Sequence, residues 1–385
     1  MRNFLRHAKM MNTILNINSQ ELLLNRFPKS NDKNLQAWDS ADEYVLQHIA
    51  ELDLDSANIL IINDTFGTLA CALNEHTLHW QSDSYISKCA VEQNLEDNQL
   101  TPNITFLDSL TLSSLSPDIV LIKLPKSNAM LEQQLHQINQ VMNPNTQVIG
   151  LAKAKDVHTS GLKLFEKYIG DTTTSLAKKK SRLIFAKPTV SKFDESAEKI
   201  ISWPLEGTEY TISNHAGVFA NNQLDIGARL MLENIPNNLN DGYAIDLGCG
   251  NGVLGLMVAQ ENPDATVRFT DESYMAVASA QLNCENAFEN QDRFEFDWHD
   301  CLSDYDYDQA DLIICNPPFH QLKTVTDHIA WQMFNDAFRT LKHGGKLRIV
   351  GNRHLGYHIK LQRIFDNCTT IASNSKFVIL EATKP

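Results

Sequence analysis

Two α/β domains built on one plan and joined in tandem are the fold class the sequence predicts, on three observations. Tyr243 to Leu247 is a short apolar run carrying a carboxylate near its end; glycines follow at 248, 250 and 252, then a helical pattern from Val253 to Ala259. Strand, tight turn and helix in that order read as a parallel α/β unit. The segment Asn58-Ile-Leu-Ile-Ile-Asn-Asp-Thr-Phe-Gly67 repeats the pattern 185 residues earlier, with Gly67 at the place of Gly252. Further matches follow at slowly growing offsets: Asp83-Ser-Tyr85 with Glu272-Ser-Tyr274 and Asn94 with Asn283 at 189, Asp118-Ile-Val-Leu-Ile122 with Asp311-Leu-Ile-Ile-Cys315 at 193, and Thr173-Thr174 with Thr369-Thr370 at 196. Offsets that drift by a few residues mean one fold duplicated, with small loop insertions between retained elements. The expected domains are residues 1–190 and 200–385, joined by a linker from Lys187 to Trp203 in which Pro188 and Pro204 bracket a polar stretch.

Along the carboxyl copy, each strand delivers a candidate site residue. Asp246 lies at the carboxyl end of the first strand, where open α/β sheets bind their ligands. Gly248, Gly250 and Gly252 let the backbone turn tightly and approach a ligand closely. The acid precedes the glycines, and the glycines are closer together than in a dinucleotide fingerprint. A pyrophosphate would be repelled there, whereas the ammonium of S-adenosylmethionine suits the carboxylate. A second strand, Val267 to Thr270, ends in Asp271, about 20 residues after the loop, the place of an acid that accepts ribose hydroxyls. Asp300 falls where a third strand ends and is a candidate acceptor for the adenine amino group, with a solvated loop acid as the alternative.

The fourth strand, Asp311 to Cys315, delivers Asn316-Pro317-Pro318-Phe319 to the same edge. Two prolines fix φ and remove two donors, so the Asn316 side chain and the Pro317 carbonyl present acceptors in a fixed geometry. Two acceptors holding both hydrogens of an exocyclic amine aim its lone pair at a sulfonium methyl. Phe319 offers a face for an extruded base, a stacking contact worth about 1–3 kcal/mol. Positioning supplies much of the rate, so neither a metal nor a covalent nucleophile is required. The alternative for the four residues is a Pro-Pro turn with a buried Phe.

The amino copy differs where the chemistry lies. Ile61 stands at the place of Asp246, Asn63 and Thr65 at those of Gly248 and Gly250, Ser82 at that of Asp271, and Lys123, Leu124 and Lys126 at those of Asn316, Pro317 and Phe319. Each replacement removes a cofactor or amine contact, so this copy is expected to keep the fold without catalysis. Lys123 and Lys126 suggest phosphate contacts, with solvated lysines as the alternative.

Residues 204–385 resemble the class I methyltransferases that modify guanine N2 in ribosomal RNA, through the loop, the clamp, His215-Ala-Gly-Val-Phe219, Leu224-Asp-Ile-Gly227 and Met333 to Gly345, read as a helix with a Gly C-cap. Adenine-N6 and release-factor glutamine methyltransferases share the clamp, which therefore specifies an amide or aromatic amine rather than guanine. The duplicated plan is similar to that of two rRNA guanine-N2 enzymes. Leu22-Leu-Leu-Asn-Arg-Phe-Pro28 with Leu35-Gln-Ala-Trp-Asp-Ser-Ala-Asp-Glu-Tyr44 resembles the large-subunit one. The resemblance implies Rossmann-like, mainly parallel seven-stranded sheets with an antiparallel last strand pair, S-adenosylmethionine as cofactor and 23S rRNA as substrate. Methylation of 16S rRNA, and a non-catalytic RNA-binding or chaperone protein with a vestigial pocket, are the alternatives.

A net charge of −14 and pI near 5.3 argue against indiscriminate polyanion binding, so RNA must meet local basic surfaces. Ten Lys or Arg lie between Leu151 and Lys192, including Lys178, Lys179, Lys180 and Arg182, against three acids. Seven lie between Arg339 and Arg363, including Arg353, with no acid among them. Two such runs in equivalent places point to phosphate contacts. The seven cysteines are scattered, without Cys-x-x-Cys pairs, which suggests reduced thiols in cytoplasm and no zinc. No apolar run approaches the ~20 residues of a membrane span, and no apolar stretch follows the basic Arg2 to Lys9, so no signal peptide is expected. The oligomeric state stays open, with a monomer favoured.

Overall fold

The computed structural model describes residues 13–29, 32, 34–52, 54–112, 114–193, 198–220, 222–318 and 323–385, with backbone only for 323–327. Phe319, His320 and the basic segment Arg2 to Lys9 lie outside them. The chain divides into two compact units, Met1–Glu198 and Lys199–Pro385.

In the second unit a seven-stranded sheet runs, edge to edge, Phe294–Trp298, Thr266–Asp271, Tyr243–Leu247, Ala310–Cys315, Leu341–Asn352, Phe377–Thr383 and Thr369–Ser373. The first five strands are parallel and the last two pairings antiparallel. The first unit repeats that order with Asn103–Leu107, Thr77–Gln81, Asn58–Ile62, Ile119–Lys123, Gln147–Lys153, Ser181–Ala186 and Thr172–Thr174. Its last two pairings are again antiparallel. The central strands, Ile59–Ile62 and Ala244–Leu247, are buried along their length, as parallel strands covered by helices on both faces must be.

Each unit is entered through a two-stranded hairpin, Ile14–Ile17 with Gln20–Leu23 and Ile201–Pro204 with Thr211–Asn214, that the sequence pattern does not announce. One asparagine pins each lead-in segment to the loop after the central strand. Asn283 accepts from the Ser213 N–H at 2.7 Å and donates to the carbonyls of Ser213 and Asn251. Asn94 does the same with Asn25 and the carbonyl of Phe66. The repeated Asn therefore marks a structural brace rather than chemistry.

The boundary between the units, at Glu198, falls within the expected linker, whose ends are held by the units: Asn139 and Gln140 hold Ser191 and Phe193 on the first, and Ile201–Pro204 is already a strand of the second. One expectation is corrected. The glycines after Met333 do not cap a helix, because Lys323–Thr340 runs directly into Leu341–Asn352. The sheet register jumps from Ala310↔Leu341 to Leu312↔Lys346, so Lys342 to Gly345 bulge out, with Gly344 at φ +81° in the bend.

Candidate active site

At the carboxyl edge of the second sheet, Asp246 is 1% exposed. Its Oδ2 accepts from the Gly255 N–H at 2.8 Å, while its buried Oδ1 has no hydrogen-bond partner among the described residues. Burial pushes this carboxyl up to about 8; the Gly255 bond opposes the shift and the Asp271 charge adds to it. Such a carboxyl is ionised in place by a buried cationic partner, and the ammonium of S-adenosylmethionine fits that role.

The loop that follows has φ of 70° at Gly248, 55° at Gly250 and 77° at Gly252, a region costly for residues with a Cβ. At Gly252 a Cβ would stand 2.9 Å from the Ala280 Cα, so close packing as well as the turn demands glycine. At Gly250 a Cβ would meet nothing within 4 Å, which leaves room over the loop for a ligand. Asp271, the last residue of Thr266–Asp271, accepts from the Gly250 N–H and the Ser273 N–H, both at 2.9 Å. Two backbone donors hold this carboxylate beside the loop, the place of an acid that meets ribose hydroxyls in nucleotide-binding α/β sheets. Asp300 is buried and takes a hydrogen bond from Gln332 at 3.0 Å, so it is not a solvated loop acid.

Asn316 follows Ala310–Cys315, the strand paired with Tyr243–Leu247, so it flanks Asp246. Its amide nitrogen points to Asp225 Oδ2 at 3.4 Å, and its oxygen Oδ1 is buried without a partner among the described residues. Pro317 is buried and Pro318 exposed. Burial pushes the thiols of Cys249 and Cys315 up, so neither offers a thiolate to compete as nucleophile.

The same edge of the first unit is built differently, and Lys123 is a correction. Expected to meet phosphate, its ammonium instead donates to both oxygens of Asp42 at 2.7 Å, with Asp39 at 3.9 Å. Asp42 is 1% exposed at its side chain. Burial works against the ammonium, but Asp42 and Asp39 overcome it and raise the Lys123 pKa. Asp64 replaces Asp246 as the cap for the following helix: its Oδ2 accepts from Leu69 and Ala70, both at 3.0 Å, and Ala70 is the counterpart of Gly255. Burial pushes Asp64 up to about 6, the Asp42 charge adding to the shift.

The other basic candidates divide by exposure. Lys126, Lys178, Lys179, Lys180 and Arg353 are exposed, and Arg182 is half-buried against Thr174. Lys179 pairs with Glu43 and Lys178 donates to Gln47. The run from Arg339 to Arg363 is less basic in space than along the chain. Sheet pairing brings Asp311 to Lys342 and Glu381 to Lys346 and Arg348, and Asp336 meets Arg339. Among the described residues no group of three His, Cys, Asp or Glu could hold a metal ion. No described helix is long and apolar enough to cross a membrane.

The sheet order, a glycine loop between Asp246 and Asp271, and the open acceptor of Asn316 on the adjoining strand define a class I methyltransferase that uses S-adenosylmethionine. Residues 12–190 match the RLMG N-terminal domain family and residues 209–381 the Methyltransferase small domain family. The chain is 51% identical over 373 residues to the ribosomal RNA large subunit methyltransferase G of Erwinia tasmaniensis, covering 96% of this chain and 99% of that one. It is 50% identical over 367 residues to the protein of that name from Pseudoalteromonas translucida, covering 94% and 95%. This chain belongs to the ribosomal RNA large subunit methyltransferase G family. Among solved structures, the T. thermophilus 16S rRNA N2 methyltransferase in complex with AdoMet and guanosine shares the fold over 97% of this chain and 98% of that one, with a TM-score of 0.73 at 19% identity.

Proposed function

We propose that this chain transfers a methyl group from S-adenosylmethionine to the exocyclic N2 of a guanine in 23S rRNA, acting as a monomer in the cytoplasm. The observation that carries the site assignment is the pair of buried acceptors, Asp246 Oδ1 and Asn316 Oδ1, without donors among the described residues and set at adjoining strand ends. The large-subunit substrate rests on the relatives' shared name.

S-adenosylmethionine, when bound, supplies an electrophilic methyl on a sulfonium. Asp246 accepts the ammonium of its amino-acid end, Gly248, Gly250 and Gly252 give the backbone close approach, and Asp271 accepts the ribose hydroxyls. Asp300 would accept from the adenine amino group. Asn316 Oδ1 and the Pro317 carbonyl hold the two N–H groups of the guanine amine, and Pro318 keeps that turn rigid. Phe319, outside the described residues, would stack on the extruded base, as the resemblance implies. The methylated ammonium is acidic enough to lose its proton to water, so no side-chain base is needed.

Lys126, Lys178, Lys179 and Lys180 would contact phosphate. Lys126 follows Ile119–Lys123, and the Lys178–Lys180 turn precedes Ser181, the partner of Lys153 at the end of its strand. They thus share the carboxyl edge of the first sheet with exposed Lys153 and Lys155. Arg182, on the strand that follows that turn, would add a further cation, and Arg353 another at the corresponding edge of the second sheet.

The test is transfer of labelled methyl to purified 23S rRNA, 16S rRNA and total protein in parallel, followed by nucleoside analysis. N2-methylguanosine in 23S rRNA alone is expected. Label in 16S rRNA alone would keep the chemistry and overturn the substrate. Label in protein would indicate a glutamine methyltransferase, and RNA binding without transfer a vestigial site.

A further inference from the structure

Leu224-Asp-Ile-Gly227 has so far no part in the chemistry, yet its carboxylate reaches the clamp. Asp225 caps the helix Ile226–Leu232, its Oδ2 accepting from the Gly227 N–H at 2.9 Å and the Ala228 N–H at 3.0 Å. The same oxygen faces Asn316 Nδ2 at 3.4 Å. A carboxylate can only accept, so this contact dictates which end of the Asn316 amide points where. The NH2 group must face Asp225, and the oxygen must face away from it, which is where Oδ1 lies buried without a donor among the described residues.

We propose that Asp225 is a positioning residue for methyl transfer, fixing the Asn316 amide so that its oxygen, not its nitrogen, meets the guanine amine. A flipped amide would present NH2 to NH2 and lose the clamp. This deepens the guanine-N2 reading and rests on it. The 3.4 Å separation is long for a hydrogen bond, as suits a contact that tightens when the amide oxygen gains its partner.

Two further observations point the same way. The first unit retains the pairing in altered form: Asp39, the cap of Ser40–Ala50, lies 3.9 Å from Lys123, the counterpart of Asn316. The fold therefore sets a helix-capping carboxylate against the end of this strand in both copies. Gly227 keeps the carboxylate where it is, since a Cβ there would stand 3.0 Å from Asp225 Oδ2 and 3.1 Å from Phe377 Cε1.

The test compares Asp225→Ser and Asp225→Asn with the parent protein in methyl transfer at saturating cofactor and RNA, with cofactor affinity and melting measured alongside. Serine still caps the helix but is too short to reach Asn316, whereas asparagine keeps an acceptor at the same reach. Asp225→Ser is expected to lower kcat on the order of tenfold or more with cofactor affinity and melting nearly unchanged, and Asp225→Asn to restore most of the rate. In an Asn316→Ala background Asp225→Ser should cost little more, because the two act as a unit. Unchanged turnover in Asp225→Ser, a loss matched by loss of cofactor binding or melting, or full additivity with Asn316→Ala would overturn the proposal. A parent protein without methyl transfer to rRNA would instead overturn the guanine-N2 reading.

Discussion

At the carboxyl edge of its sheet the second unit has two buried acceptors, on Asp246 and Asn316, without a partner among the described residues, whereas the first unit carries Ile61 and Lys123 at those places and pairs the buried Asp42 with Lys123. The backbone plan is the same, down to the asparagine that braces the loop after each central strand. The difference is electrostatic. Holding buried acceptors ready for a ligand costs stability in the ligand-free protein, because their desolvation is not compensated until the ligand arrives. A copy released from that duty can place an ammonium there and satisfy its carboxylates from within.

The contrast is broken most severely by removing the internal cation. Lys123→Ala leaves the enclosed Asp42 without its cation, and should destabilise the protein by about 3–5 kcal/mol, read as a lower denaturant midpoint. Lys123→Met with Asp42→Leu should recover most of the loss, since no uncompensated charge then remains. In the second unit, Asn316→Ala should lower turnover by on the order of 10²-fold or more while cofactor affinity stays nearly intact. Turnover within a few-fold of the parent would remove Asn316 from the clamp.

Asp246→Asn sharpens the contrast from the other side. It should weaken cofactor binding by about 1.5–3 kcal/mol, roughly tenfold to a hundredfold, in calorimetric titration. It should also change how the ligand-free protein responds to pH. The folded Asp246 pKa of about 8 lies above the unfolded value of about 3.9, so between them the native state holds a proton the unfolded chain lacks. Stability from this group is complete below pH ~4, falls as pH rises toward ~8 and levels beyond. Asp246→Asn should abolish that decline; an unaltered pH profile of unfolding would show that Asp246 is not the group responsible.

The smallest effect is expected on RNA. Reversing Lys178, Lys179 and Lys180 to Glu should weaken binding and flatten its salt dependence, by ~0.7–0.9 in slope for each phosphate no longer neutralised. Lys179 is already paired with Glu43, which limits the effect. An unchanged slope would take these lysines off the RNA path.

Sequence carried the fold because parallel strands, glycine turns and a drifting internal repeat are local signals, and the strand that ends at Asn316 was marked by its own apolar run. It also brought out Asp246, Asp271 and Asn316 as residues of one edge, since each ends a strand of the same parallel sheet. What it hid were partners joined only in three dimensions. Lys123 reads as a free cation until Ser40–Ala50 brings Asp42 against it, 81 residues away. The seven basic residues from Arg339 to Arg363 read as a patch until neighbouring strands supply Asp311 and Glu381. Asp225 carried the one legible clue, an Asp before an apolar helical run, but a helix cap does not announce what else its carboxylate touches.

The most direct test of this two-copy reading is the stoichiometry of S-adenosylmethionine binding to the full chain by isothermal titration. One site per chain is predicted, weakened by Asp246→Asn and indifferent in affinity to Lys123→Met with Asp42→Leu. Two sites per chain, or a single site that Asp246→Asn leaves untouched and the Lys123 and Asp42 pair abolishes, would contradict it.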